Sequence, residues 1–108
     1  MGLTKTEGFT KSQIDLAALA KALGHPARIA ILQFLAQRKA CVCGDIVDEL
    51  PLSQSTVSQH LKELKAIGLI KGNIDGPSVC YCIDEKAWSK AKKAMGDLFQ
   101  HCDPANCC

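Results

Sequence analysis

The chain has 108 residues, 47% of them hydrophobic and 22% charged, which is the length and balance of one globular domain and excludes a disordered chain or two independent cores. A net charge of +2, doubled in a symmetric dimer, permits nucleic-acid binding without arguing for it. No apolar run reaches the roughly 18 residues of a membrane span, and the polar stretch Met1–Ser12 has no apolar segment behind a basic start, so the chain reads as cytoplasmic.

Residues 1–11 read as a flexible arm, 12–101 as the folded domain and 102–108 as a cysteine-rich tail. Ser12 is a plausible N-cap for a helix in which Ile14, Leu16, Leu19, Ala20 and Leu23 recur at helical spacing, and Gly24 stops it. His25-Pro26-Ala27-Arg28 restarts the chain with proline in the first turn of a second helix. There Ile29, Ile31, Leu32, Phe34 and Leu35 make a wide apolar face that requires a central position, and Arg38-Lys39 end it with positive charge.

A short amphipathic helix is expected over Cys43–Leu50, closed by Pro51. Ser53 then caps a longer helix beginning at Gln54. Val57, Leu61 and Leu64 would turn one side of that helix to the core. Gln54, Ser55, Ser58, Gln59 and Lys62 fall on or near the other side, short and polar at the front. Side chains of this kind exchange hydrogen bonds with base edges and phosphates, and the positive helix N-terminus lies where a phosphate would approach. Helix, tight turn and second helix is the helix-turn-helix order; the plain alternative is a solvent face on a helical hairpin.

Leu69–Ile74 and Ser78–Ile83 read as two short strands around the turn Asp75-Gly76-Pro77, a wing directly behind the second helix. Asp84 caps a last helix with Trp88, Ala91, Met95, Leu98 and Phe99 in one stripe, best covered by a second copy of the chain. The fold class is therefore mainly α with a small β-hairpin, a winged helix-turn-helix that dimerises through its first and last helices.

The runs Ala22-Leu-Gly-His-Pro-Ala-Arg-Ile-Ala-Ile-Leu32, Leu52-Ser-Gln-Ser-Thr-Val-Ser-Gln-His-Leu-Lys-Glu-Leu64 and Gly68-Leu-Ile70 together resemble the ArsR/SmtB family of bacterial metal- and metalloid-responsive repressors, over roughly residues 14–100. The resemblance implies a winged-helix homodimer that binds a double-stranded DNA operator near its own promoter and leaves it when an inducer binds. Cys41-Val42-Cys43 also looks like the Cys-Val-Cys of arsenical-resistance repressors. Their next cysteine, three positions on, is replaced here by Ile46, so two local thiolates leave a site for trivalent arsenic or antimony one ligand short. The resemblance assigns His25 and His60 to the family's fold and DNA pattern. His101 reads as a helix-end cation or a solvent residue, and the last helix lacks the Asp/His array at which zinc-sensing relatives bind metal across the dimer.

In a reducing compartment the seven cysteines are expected to serve metal, metalloid or redox chemistry rather than a disulfide framework. In a helix, residues i and i+2 lie about 200° apart, so Cys41 and Cys43 could grip one atom only if the chain there were extended or distorted. An extended start could pair with the wing. In a strand i and i+2 share a face, so Cys80 and Cys82 point together while Val79, Tyr81 and Ile83 take the core side. One candidate site therefore joins Cys41 and Cys43 to Cys80, Cys82 or both. A second is Cys102, Cys107 and Cys108 in the tail. Structural zinc in four thiolates is the competitor, and any one cysteine taken singly can be a small buried hydrophobe.

The expected function is a repressor released by trivalent arsenic, as arsenite or methylated arsenite, or by antimony. A thiol-redox sensor or a cadmium or zinc sensor on the same scaffold is the alternative. Gln54, Ser55, Thr56, Ser58, Gln59 and Lys62 are the expected major-groove residues, with Lys71 near phosphates. No nucleophile-base-orienter set and no phosphate-cradling glycine loop are present, so an enzyme is not expected.

Overall fold

The structure, a computed structural model, describes residues 8–38, 41–43, 50–73 and 80–100. Helix α1 (Lys11–Ala22) starts one residue before the expected cap, because Thr10 rather than Ser12 caps it. The Thr10 hydroxyl accepts from the Gln13 N–H at 3.1 Å, and the Thr10 N–H donates to Gln13 Oε1 at 2.9 Å. Satisfying two otherwise unpaired groups at once outweighs a lone serine further in. Leu19 and Ala22 are buried, with Leu16 and Leu23 packed beside them. Ile14 and Ala20, which belong to the same periodic set, face outward in the single chain, since the helix buries one edge and these two lie off it.

Helix α2 (Pro26–Ala36) has the expected proline in its first turn and ends on the cap Gln37. Ile31, Leu32 and Leu35 are buried and Phe34 is half-buried, and the helix packs against both the next helix and the sheet as a central element should. Its apolar face is narrower than expected, however, since Ile29 lies 39% exposed. The Arg38 guanidinium lies 4.4 Å over the Phe34 ring just beyond the helix end.

The expected helix over Cys43–Leu50 largely lies outside the described residues, at 44–49. Its first residue is not helical. Val42–Cys43 forms strand β1, which pairs antiparallel with the wing. Helix α3 (Gln54–Ala66) follows, capped by Ser53 as expected, and buries Val57, Leu61 and Leu64. Its C-terminus closes with the Gly68 N–H on the Lys65 carbonyl at 2.9 Å and the Leu69 N–H on the Leu64 carbonyl at 3.1 Å. That pairing requires a left-handed residue, and Gly68 supplies it at φ +89°.

Strands β2 (Ile70–Asn73) and β3 (Cys80–Ile83) form the antiparallel wing, with Ile70 opposite Ile83 and Gly72 opposite Tyr81. The expected turn at residues 75–77 lies outside the described part. The sheet order is β1-β3-β2, so the second wing strand is central and its Tyr81 is one of the most deeply buried side chains. Helix α4 (Glu85–Gln100) opens as expected on Asp84, whose carboxylate accepts from the Ala87 N–H at 3.0 Å. Trp88, Ala91 and Met95 rest on the core, whereas Leu98 and Phe99 stay 50% and 71% exposed. A groove of about 600 Å³, lined in part by Leu16, Leu19, Ala91 and Ala94, runs between α1 and α4. The whole is a winged helix-turn-helix, mostly helical. Among the described residues no helix is long and apolar enough to cross a membrane.

Candidate nucleic-acid interface and sulfur cluster

The front of α3 is organised by its cap. The Ser53 hydroxyl accepts from the Thr56 N–H at 3.3 Å and lies 3.2 Å from the Ser55 hydroxyl and 2.9 Å from the Thr56 hydroxyl. Three hydroxyls therefore gather where the helix dipole is positive, an arrangement suited to a phosphate oxygen. Ser55, Gln59 and Lys62 are exposed, and Ser58 and Thr56 are half-buried. The Gln59 amide is held by Glu63 Oε1 at 3.2 Å. Gln54 is the first residue of the helix, and its side chain lies outside the description. Lys71 is exposed on β2, the strand that directly follows α3.

Behind this face stands a cluster that sequence reasoning did not assemble. His60, on the inward side of α3 and only 8% exposed, accepts at Nδ1 from Arg28 Nε at 3.0 Å. Arg28 Nη1 donates to the Ala22 carbonyl at 3.1 Å. His25 caps α2 by accepting the Ala27 N–H at Nδ1, also at 3.0 Å, and its ring centroid is 4.4 Å from that of His60. Burial holds His60 below the usual histidine range, His25 and Arg28 lower it further, and Glu63 acts the other way. The sequence signal was the spacing of His25 and Arg28, which puts both on the first turn of α2.

The sulfur positions follow from the β1–β3 register. Val42 lies opposite Tyr81 and Cys43 opposite Cys80. Val42 and Tyr81 turn to the core, so alternation turns Cys41, Cys80 and Cys82 to the other face. Cys41 and Cys82, with Cα atoms 4.4 Å apart, are joined in a disulfide, and Cys80 is also disulfide-bonded. The expectation that the cysteines would not be bridged is thus corrected: the pairing of two strands far apart in sequence brings sulfurs together directly across the sheet. The Cys43 side chain and the tail cysteines Cys102, Cys107 and Cys108 lie outside the description. Among the described residues no group of three or more His, Cys, Asp or Glu is arranged to hold a metal ion.

Residues 25–71 match the family described as bacterial regulatory proteins of the arsR family. The chain is 40% identical over 72 residues to an HTH-type transcriptional regulator of Methanocaldococcus jannaschii, covering 65% of this chain and 80% of that one. This chain belongs to the ArsR family. It is a DNA-binding transcriptional regulator, and the family is not an enzymatic one. The HTH-type transcriptional repressor SmtB of Mycobacterium tuberculosis is 46% identical over 63 residues, 58% of this chain and 46% of the repressor. Among solved structures, HlyU from Vibrio cholerae superposes with a TM-score of 0.64 at 27% identity, covering 85% of this chain and 96% of that one.

Proposed function

We propose that this ArsR-family regulator is a cytoplasmic repressor that leaves its operator when trivalent arsenic or antimony binds thiolates on the face shared by β1 and β3. The observation that carries the reading is the register that sets Cys41 against Cys82 and Cys43 against Cys80. Trivalent arsenic and antimony favour three soft sulfur ligands, and the reduced cysteines of this face supply that chemistry without the absent thiol at Ile46. Cys41 and Cys82 would be two ligands, with Cys43 or Cys80 as the third. Because β1 precedes α3 and β3 belongs to the wing, a guest held across these two paired strands alters the angle between the reading helix and the wing.

Gln54, Ser55, Thr56, Ser58, Gln59 and Lys62 enter the major groove in this reading, and Lys71 approaches phosphate. The regulator acts as a homodimer through α1 and α4, supported by the exposure of Phe9, Ile14, Leu98 and Phe99 and by the open groove between those helices. The repressor mode draws support from its mycobacterial relative, the transcriptional repressor SmtB.

Release from promoter DNA is to be measured with arsenite, methylated arsenite, antimonite, cadmium, zinc and peroxide, on the reduced wild type and on single Cys→Ser proteins. Cys41→Ser and Cys82→Ser are expected to bind DNA normally and to lose metalloid release by at least about tenfold in inducer concentration. Retained release would remove the site. Truncation after His101 abolishes the response only if Cys102, Cys107 and Cys108 form the site.

A second reading, a thiol-redox sensor, is favoured by the Cys41–Cys82 disulfide itself. It predicts release by peroxide alone, reversed by a dithiol reductant.

A further inference from the structure

We infer that Arg28 and His60 are a positioning pair that sets the angle of the reading helix α3 on α2, and that the pair works only while His60 is neutral, so that operator affinity falls on acidification. The argument rests on donors and acceptors. A guanidinium has N–H donors and no acceptor, so the 3.0 Å contact from Arg28 Nε requires a bare lone pair on His60 Nδ1. His60 must therefore carry its proton on Nε2. Arg28 is itself anchored, through Nη1, to the Ala22 carbonyl at the end of α1. Three helices are thus tied at one point: the last turn of α1, the first turn of α2 and the middle of α3.

The pair sits on the inward side of the same turns of α3 that carry the reading face. Ser58 and Gln59 directly precede His60 and Lys62 lies two residues beyond, so any rotation of the helix about this point is transmitted to the groove. Protonating Nδ1 turns the acceptor into a donor facing a donor and sets an imidazolium against a guanidinium in a site that is 8% exposed. The charged and titratable groups facing His60 are Arg28 and His25 from the α1–α2 junction and Glu63 on its own helix. Only Glu63 favours the cation, and its carboxylate is partly engaged by Gln59. Burial and the two basic neighbours oppose it, in agreement with the lowered proton affinity of His60.

The test uses the full chain, reduced, and a DNA duplex selected by that protein from randomised sequence at about pH 7.5. Because the proton affinity of His60 is lowered, affinity of the wild type is expected to hold through the ordinary histidine range and to fall severalfold as the pH is taken on down to about 5, beyond any change in its binding to unselected DNA. His60→Asn, whose amide oxygen reproduces the Nδ1 acceptor but does not titrate, is expected to bind at neutral pH within a few fold of the wild type and to lose the acid fall. Nitrogen-15 NMR of the wild-type imidazoles supplies a readout independent of any variant. His60 should show a bare Nδ1 and a protonated Nε2 at neutral pH, and should titrate together with the affinity. A pH-independent wild type, an equal acid fall in the Asn variant, or a protonated Nδ1 at neutral pH would each overturn the inference.

Discussion

Gly72 shows how closely one residue can control the wing. Its φ of +126° is one that L side chains rarely adopt, and a Cβ built there would lie 2.8 Å from the Tyr81 Cα and nearer still to the Cys80 carbonyl oxygen. Both atoms are backbone and cannot swing aside. Gly68, at φ +89°, has open space around the same position and meets only the conformational cost. Gly68→Ala should therefore destabilise the protein by about 1 kcal/mol, and Gly72→Ala by clearly more, because steric displacement of β3 adds to the backbone term. Paired thermal melts measure this, at about 4–8 °C per kcal/mol in a domain of this size. Equal shifts would show that β2 and β3 do not approach so closely. The sequence marked Gly72 only as part of a strand, since a close approach is a property of two strands and not of one.

At the scale of the element, the start and the inward face of α3 were most legible. The left-handed Gly68 that closes the helix shows its role in the structure, whereas Ser53 as cap and the inward stripe of Val57, Leu61 and Leu64 stand close together in the chain. Local chemistry decides such features. Ser53→Ala is expected to cost about 1 kcal/mol in urea unfolding, with Ser53→Asn recovering most of it. A neutral alanine substitution would mean that the hydroxyls of Ser55 and Thr56 can take over the cap. The start of α1 was less legible because Thr10 and Ser12 both suit a cap, and the reciprocal bond from Gln13 decides between them. Strand β1 could be foreseen only conditionally. Nothing within Val42–Cys43 prefers an extended chain strongly enough, and the partner that stabilises it, β3, begins 37 residues later.

For the whole molecule, charge and surface decide how it meets DNA. Lys71 is the sole cation between Leu69 and Ile83, so the wing neutralises few phosphates. The logarithm of the operator binding constant is accordingly expected to fall with the logarithm of salt at a shallow slope, about −0.9 per phosphate engaged. Fluorescence titrations over a range of salt concentrations measure it. A steep slope would move the basic surface elsewhere, the lysines of α4 being the next candidates. The half-covered stripe of α4 belongs to the same scale: Trp88, Ala91 and Met95 find the core of their own chain, while Leu98 and Phe99 reach past it.

From residue types and spacing alone came the helix-turn-helix order, the wing, the polar front of α3, the caps at Ser53 and Asp84, and the family resemblance, because each depends on neighbours a few positions away. Only the folded chain decided that Cys41 meets Cys82, that Arg28 and His60 join α2 to α3, and that Ile14 and Ala20 face outward. Those outcomes depend on strand register and on the angle at which one helix lies on another. Both are set by the simultaneous burial of Ile31, Leu35, Leu64, Ile70 and Tyr81 in one core, a condition no single stretch of sequence expresses.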